Sequence, residues 1–319
     1  MSGGERIGLL FPGQGSQAVG MGRDLAERSP RVRELYERAD ERLGFALSRI
    51  CWEGPEDQLT LTQNAQPALL VHSAAVWELI REAELDVVAA AGHSLGEFSA
   101  YTAAGTFDFE DAVETVHLRG ALMFVAGRQR PGTMAAVLGL DDAIVEQVCR
   151  EASAGEHEVA VAANFNAPGQ TVISGDAVAV ERASALAVGA GAKKVTGLKV
   201  SGAFHSPLMN AAERGLEEHL DGIEMKEPAF PVISNVSTSP VSGIVEARAL
   251  LIEQLTSPVR WTACVRTLLG LGATQFLEVG TGKVLTGMLK RIDRAAEGRG
   301  TPLGTAEQID AYLGSRTGG

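Results

Sequence analysis

A serine set between glycines and a histidine in a loop are the residues of this chain best suited to nucleophilic chemistry. Gly92-His93-Ser94-Leu95-Gly96 has the G-x-S-x-G form, in which small flanking residues permit a strained strand-to-helix turn that lifts a hydroxyl clear of a sheet. The apolar run Asp86–Ala91 before it reads as a short buried strand, and Glu97–Ala104 after it as the first turns of a helix stopped near Gly105. The same pentapeptide also fits a helix start with Ser94 as a plain cap. A serine hydroxyl is a poor nucleophile at neutral pH and needs a base. Six histidines are available. His72, His117 and His219 fall inside helical patterns, His157 lies in a polar loop, and His93 neighbours the serine but points along the wrong turn. His205 differs, because Gly202-Ala203-Phe204-His205-Ser206-Pro207 is a loop directly after an expected strand, where catalytic groups are commonly placed. A lone loop histidine is as readily structural.

The elements around these residues alternate as in a parallel sheet. Ile7–Phe11 is a short apolar strand running into the turn-rich loop Pro12–Gln17, with a helical stretch from about Arg23. Helical patterns recur at about Pro30–Arg42, Pro67–Ala83 and Glu110–Val125. Between Thr133 and Ser201 the rhythm becomes β-α-β-β-α-β: strand Met134–Leu140, helix Asp141–Ala152, strands Val159–Phe165 and Gln170–Ser174, helix Asp176–Ala190, strand Lys194–Val200. That order is ferredoxin-like. Helices at about Pro207–His219, Arg248–Gln254 and Trp261–Leu271, with strands Phe230–Asn235 and Gln275–Val279, then resume the earlier style. The division expected is a discontinuous large domain, 1–132 and 202–319, with a small domain at 133–201. From Asp293 the chain reads as loop-rich surface with one short helical pattern at Thr305–Leu313.

Composition excludes several classes of function. The length of 319 residues allows one large core with an insertion. Hydrophobic residues make up 45% but aromatics only 5%, so Ala, Val and Leu must fill the interior, as where helices cover a parallel sheet. A net charge of -12 with no Lys/Arg block argues against nucleic-acid binding. Cys51, Cys149 and Cys264 are too dispersed for a disulfide framework or a zinc site. The polar stretch Met1–Arg6, followed by a five-residue apolar run, predicts neither signal peptide nor membrane span, and a cytoplasmic setting is expected. Gly280-Thr281-Gly282-Lys283 lacks phosphate-loop spacing, and Val284 stands where Ser or Thr is required.

Taken in order, Phe11-Pro12-Gly13-Gln14-Gly15-Ser16-Gln17, Gly92-His93-Ser94-Leu95-Gly96-Glu97, Asn164-Phe165-Asn166-Ala167-Pro168-Gly169-Gln170 and Ala203-Phe204-His205 resemble the malonyl-CoA:acyl-carrier-protein transacylase family. Gln254-Leu255-Thr256-Ser257-Pro258-Val259-Arg260-Trp261 and Glu278-Val279-Gly280 extend the resemblance over nearly the whole chain. It implies an α/β-hydrolase-like large domain with an inserted ferredoxin-like small domain. It also implies a ping-pong transfer through an acyl-Ser94, with His205 as base, between malonyl-CoA and the pantetheine thiol of an acyl carrier protein in fatty-acid or polyketide synthesis.

Residue by residue, the resemblance assigns the oxyanion-binding amides to Gln14 and Leu95, and the carbonyl that orients the histidine to the backbone of Gln254, whose side chain is then not expected to be essential. Arg119 takes the carboxylate-binding position, through the two parallel hydrogen bonds a guanidinium can offer. Phe204, Met123, Phe124 and Asn164 are expected to shape the acyl pocket. Phe124 departs from the Met-Gln with which the arginine helix often continues in this family. Phe204 and Leu95 resemble the malonyl-selective pattern, since a phenyl ring there crowds an α-methyl branch. The acidic carrier is expected on basic residues near the cleft, with Lys193, Lys194, Lys199, Lys283, Lys290 and Arg291 as candidates. No cofactor or metal of its own is expected, and the chain is read as a monomer. Three alternatives remain at this stage: an editing hydrolase that sends water to the acyl-enzyme, a transacylase for a different acyl group, and a scaffold subunit with a relic site.

Overall fold

The computed structural model describes residues 5–317; Met1–Gly4, within the polar N-terminal stretch, and the last two residues lie outside the described residues. Two sheets organise it. The strands, in chain order, are β1 (Arg6–Phe11), β2 (Asp86–Gly92), β3 (Gly132–Leu138), β4 (Ala160–Ala167), β5 (Gln170–Asp176), β6 (Lys194–Gly197), β7 (Val232–Ile233), β8 (Pro240–Val241), β9 (Gln275–Val279) and β10 (Gly300–Leu303). The larger sheet has the order β10-β9-β1-β2-β7-β8, parallel except for the β7–β8 pair. Its inner strands are apolar on both faces, and successive side chains point to opposite sides. Ile7, Leu9 and Phe11 of β1 join one core, while Leu10 joins the other. Ala90 separates from Ala89 and Ala91 of β2 in the same way.

The second sheet, β4-β5-β3-β6, is antiparallel throughout and carries the helices Asp142–Ala152 and Ala177–Gly189, giving the ferredoxin-like β-α-β-β-α-β unit with its own core. Its edge strand β4 is clasped to the larger part of the chain: Phe165 N–H donates to Val259 O at 2.9 Å and Val259 N–H to Ala163 O at 2.8 Å. The fold is therefore α/β, with a parallel sheet and a small antiparallel unit, as the motif order implied.

Several elements depart from the sequence-based expectation. The stretch from Asp293 is not mostly loop: β10 extends the main sheet beside β9, and the helix Ala306–Thr317 packs behind it. The helix expected from Pro67 begins at Thr62, with Pro67 inside it. The strand expected over Phe230–Asn235 shrinks to the two residues of β7, and its end delivers Asn235 to the site described below. No helix among the described residues is long and apolar enough to cross a membrane.

Candidate active site

Ser94 sits at the turn between β2 and the helix Leu95–Ala103 with φ 52° and ψ -107°, a strained positive-φ conformation that costs a non-glycine residue about 1–3 kcal/mol. The neighbouring glycines make the turn possible. A Cβ on Gly92 would lie 1.8 Å from the carbonyl carbon of Gly96, and one on Gly96 would lie 2.1 Å from Phe11 O. The helix therefore starts directly across the ends of β1 and β2. Asn235, at the end of β7, holds the turn from behind: its Oδ1 accepts from Ser94 N–H at 2.8 Å and its Nδ2 donates to Gly92 O at 2.7 Å. With Ser94 N–H so occupied, that amide is not free for an oxyanion. Among the described residues the amides of Gln14 and Leu95, by contrast, have no backbone or side-chain acceptor.

His205 is brought to the serine across 111 positions of sequence, with Nε2 2.7 Å from Ser94 Oγ. It too has a positive φ, 56°. Its Nδ1 lies 2.9 Å from Gln254 O. A carbonyl can only accept, so Nδ1 carries the proton and Nε2 is left as the acceptor for the serine hydroxyl. Burial, reinforced by the charge of Arg119, lowers the histidine to about 3. Such a base stays neutral throughout the physiological range. Single-turnover acylation at saturating substrate should therefore hold its rate between pH 7 and pH 5, where a histidine at its ordinary pKa would lose about 25-fold in neutral form. A decline of that size, centred near pH 6.5, would show that the histidine titrates normally.

Arg119 reaches the same point from the helix Phe109–Gln129 and is 1% exposed. The helix approaches its neighbour Thr62–Ile80 closely at Gly120, where a Cβ would lie 2.6 Å from Thr62 O. That contact sets Arg119 Nη1 2.7 Å from Gln66 Oε1. Nη2 donates to Gln254 Oε1 at 2.9 Å and lies 3.2 Å from Ser94 Oγ, the ring of Phe98 stacks 5.5 Å away, and Nε has no partner. Burial lowers the guanidinium to about 10, with Glu97 opposing the shift, so it remains charged. A buried, charged donor with an unfilled N–H is suited to accept a carboxylate.

These groups line one cleft of about 370 Å³ between the two sheets, to which Met134 and Asn164 contribute from the small unit and Met123 and Phe204 from the large part. Phe124 does not line it. Five residues after Arg119 on the helix it is turned about 140° away, half-buried, with the Arg128 guanidinium 5.9 Å from its ring. Met123, four residues after Arg119, shares the arginine's face. Of the basic candidates only Lys199 lines the cleft. Lys193 packs against Gly139, Lys194 is exposed on β6, Lys283 precedes the helix Val284–Ile292, Lys290 pairs with Glu297 at 3.9 Å, and Arg291 donates to Gln170 at 2.7 Å.

The Gln254 side chain takes a place in the site beyond that of its carbonyl. It is fully buried and central, accepting from Arg119 while its Nε2 donates to Ser94 O at 3.1 Å and to Glu97 Oε2 at 2.6 Å. Motif reading assigned only its carbonyl, because a glutamine's amide finds its partners only in space. Gln66, Asn235 and Glu97 went unassigned for the same reason. A carboxylate amid Leu95, Phe98, Ala100 and Tyr101 was the one signal available for Glu97. His93 makes no contact with the serine hydroxyl and places Nε2 2.8 Å from Asn166 Oδ1.

Comparison with known proteins adds to this geometry. The acyl transferase domain family matches residues 9–301. A malonyl CoA-acyl carrier protein transacylase of Bacillus subtilis is 47% identical over 289 residues, 91% of each chain. The structure of an acyl carrier protein S-malonyltransferase from Vibrio cholerae is similar with a TM-score of 0.92 at 42% identity, covering 96% of this chain and 99% of that one. A malonyl-transacylase in complex with a type II PKS acyl-carrier protein is similar with a TM-score of 0.92 at 38% identity, over 97% and 99%.

Proposed function

Because this chain belongs to the acyl transferase domain family, we propose that its cleft moves a malonyl group from malonyl-CoA to the pantetheine thiol of an acyl carrier protein by way of Ser94. The observation that carries the reading is the hydrogen-bonded line Gln254 O, His205, Ser94 Oγ, with the Arg119 guanidinium beside the hydroxyl. In the first half-reaction His205 Nε2 takes the serine proton as Oγ attacks the thioester carbon. The oxyanion is received by the amides of Gln14 and Leu95. The C–S bond then breaks and His205 returns the proton to the departing CoA sulfur. In the second half the carrier thiol gives its proton to His205, the sulfur attacks the malonyl-serine ester, and Ser94 leaves with that proton.

Arg119 holds the free carboxylate throughout, and Phe204, Met123 and Asn164 bound the acyl group. A single methyl branch against such a wall is worth only about 1–3 kcal/mol, so malonyl preference over branched homologues is leaky. The reading includes a cytoplasmic monomer with no cofactor of its own, since both thiols arrive with the substrates. The acidic carrier docks at the mouth of the cleft, where Lys199 is the basic candidate that lines it.

The test is to mix the protein with malonyl-CoA and holo-carrier and to measure malonyl-carrier against free malonate. Loaded carrier should exceed malonate by a wide margin. Malonate release that accounts for the malonyl-CoA consumed would make the protein a hydrolase instead.

A further inference from the structure

Glu97 is the charged group of the site that the transfer mechanism leaves unused. It lies in the first turn of the helix after Ser94 and is 0% exposed. It does not touch Arg119. The Gln254 carboxamide stands between them, giving its N–H to Glu97 Oε2 at 2.6 Å and its oxygen to Arg119 Nη2 at 2.9 Å. Asn235 N–H donates to the same Oε2 at 3.1 Å. Each ion keeps an unpaired polar atom, Glu97 Oε1 and Arg119 Nε. A direct bidentate pair would have satisfied both but would have closed the guanidinium to any other carboxylate. The bridged arrangement retains the attraction and leaves the donor open.

We propose that Glu97 is a positioning and specificity-determining residue, the resident counter-charge of Arg119 that sets how tightly the site holds an acyl carboxylate. The proposal rests on the reading that Arg119 receives that carboxylate. With the cleft free, Glu97 and Arg119 neutralise each other in a dry environment. When a malonyl carboxylate arrives, two buried anions share one cation, and Glu97 opposes the newcomer. An anchor weakened in this way still selects a charged acyl group but releases it once the carrier thiol has taken it. Besides Arg119, the ionisable groups facing Glu97 are the Cys264 thiol from the helix Trp261–Gly270 and Tyr101 from its own helix. Burial and the nearby carboxylate raise both, so neither carries charge here. Burial lifts Glu97 itself to about 7, against the pull of Gln254, Asn235 and Arg119, which lets the carboxylate be relieved by taking up a proton when malonyl binds.

Binding is measured in a Ser94→Ala background, where no acyl-enzyme forms, by calorimetry with malonyl-CoA and acetyl-CoA. Glu97→Gln can keep both hydrogen bonds by placing its oxygen at Oε2 and its amide at the unpaired position, so it removes the charge alone. At pH 8, where a carboxyl at about 7 is mostly ionised in the free cleft, the malonyl-to-acetyl affinity ratio should rise about tenfold, equivalent to about 1.4 kcal/mol. A ratio that is unchanged or lower overturns the proposal. The second measurement needs no change at Glu97: above neutral pH, binding enthalpies in two buffers should reveal proton uptake with malonyl-CoA beyond that with acetyl-CoA. Equal uptake also overturns it. Arg119→Ala in the same background separates the two ideas. If that change leaves the ratio intact, the carboxylate reading falls and Glu97's role with it; if it collapses the ratio while the Glu97 arms show nothing, only the counter-charge is lost.

Discussion

Ser94→Ala leaves no covalent malonyl-protein after exposure to malonyl-CoA, and transfer to the carrier falls by about 10⁴-fold or more. The size follows from the geometry. Oγ is the one atom in the cleft that has both a neutral base at 2.7 Å and two unpaired backbone amides nearby. Alanine removes the bond-forming atom and leaves His205 Nε2 with no hydroxyl to deprotonate. Groups acting as a unit are not additive, so Ser94→Ala combined with His205→Ala should be little worse than Ser94→Ala alone. Intact-mass detection of the malonyl-protein decides the matter. Labelling that persists in the Ser94→Ala protein would place the nucleophile elsewhere.

Arg119→Ala costs malonyl-CoA about 10²-fold to 10³-fold in kcat/KM while changing acetyl-CoA far less, the loss of about 3–4 kcal/mol expected when one partner of a buried charged hydrogen-bonded pair is removed. Most of the change should appear in KM. The protein itself should survive, because Glu97, left without its counter-charge and already lifted to about 7 by burial, can take a proton instead of standing as a bare buried anion. Arg119→Lys keeps the charge but not the fork held by Gln66 and Gln254, and should fall between. Steady-state kinetics on the two acyl-CoAs measure both. Equal losses on malonyl-CoA and acetyl-CoA would remove the carboxylate role from Arg119.

Legibility in the sequence followed the range of the interactions involved. The nucleophile turn was readable because its signal is local: an apolar strand, small residues at 92 and 96, and a helix that begins at once. The ferredoxin-like unit was readable because each of its joins is punctuated by Gly, Pro or Asp. β10 was not. Gly300-Thr301-Pro302-Leu303 has neither alternation nor a branched apolar run, and it is a strand because it pairs with β9 at the sheet edge, where a proline is tolerated. Phe124 was misplaced because motif matching preserves position in the chain but not rotation about a helix axis, and one residue turns a side chain by about 100°.

What the sequence determined by itself is therefore the backbone of the chemistry: which hydroxyl is strained into an elbow, which loop holds a histidine, and which ordered motifs mark the acyl transferase family. Only the tertiary structure decided the electrostatics. Glu97, Arg119, Gln254, Gln66 and Asn235 stand up to 188 positions apart in the chain and carry little local signal, since a polar side chain inside a helix reads as solvated surface until the fold buries it. Burial is what makes them act. Removed from water, a carboxylate and a guanidinium must find partners, and the Gln254 carboxamide that joins them directly behind Ser94 exists as a bridge only because the helices carrying Glu97 and Arg119 and the end of the helix Ile244–Glu253 converge there.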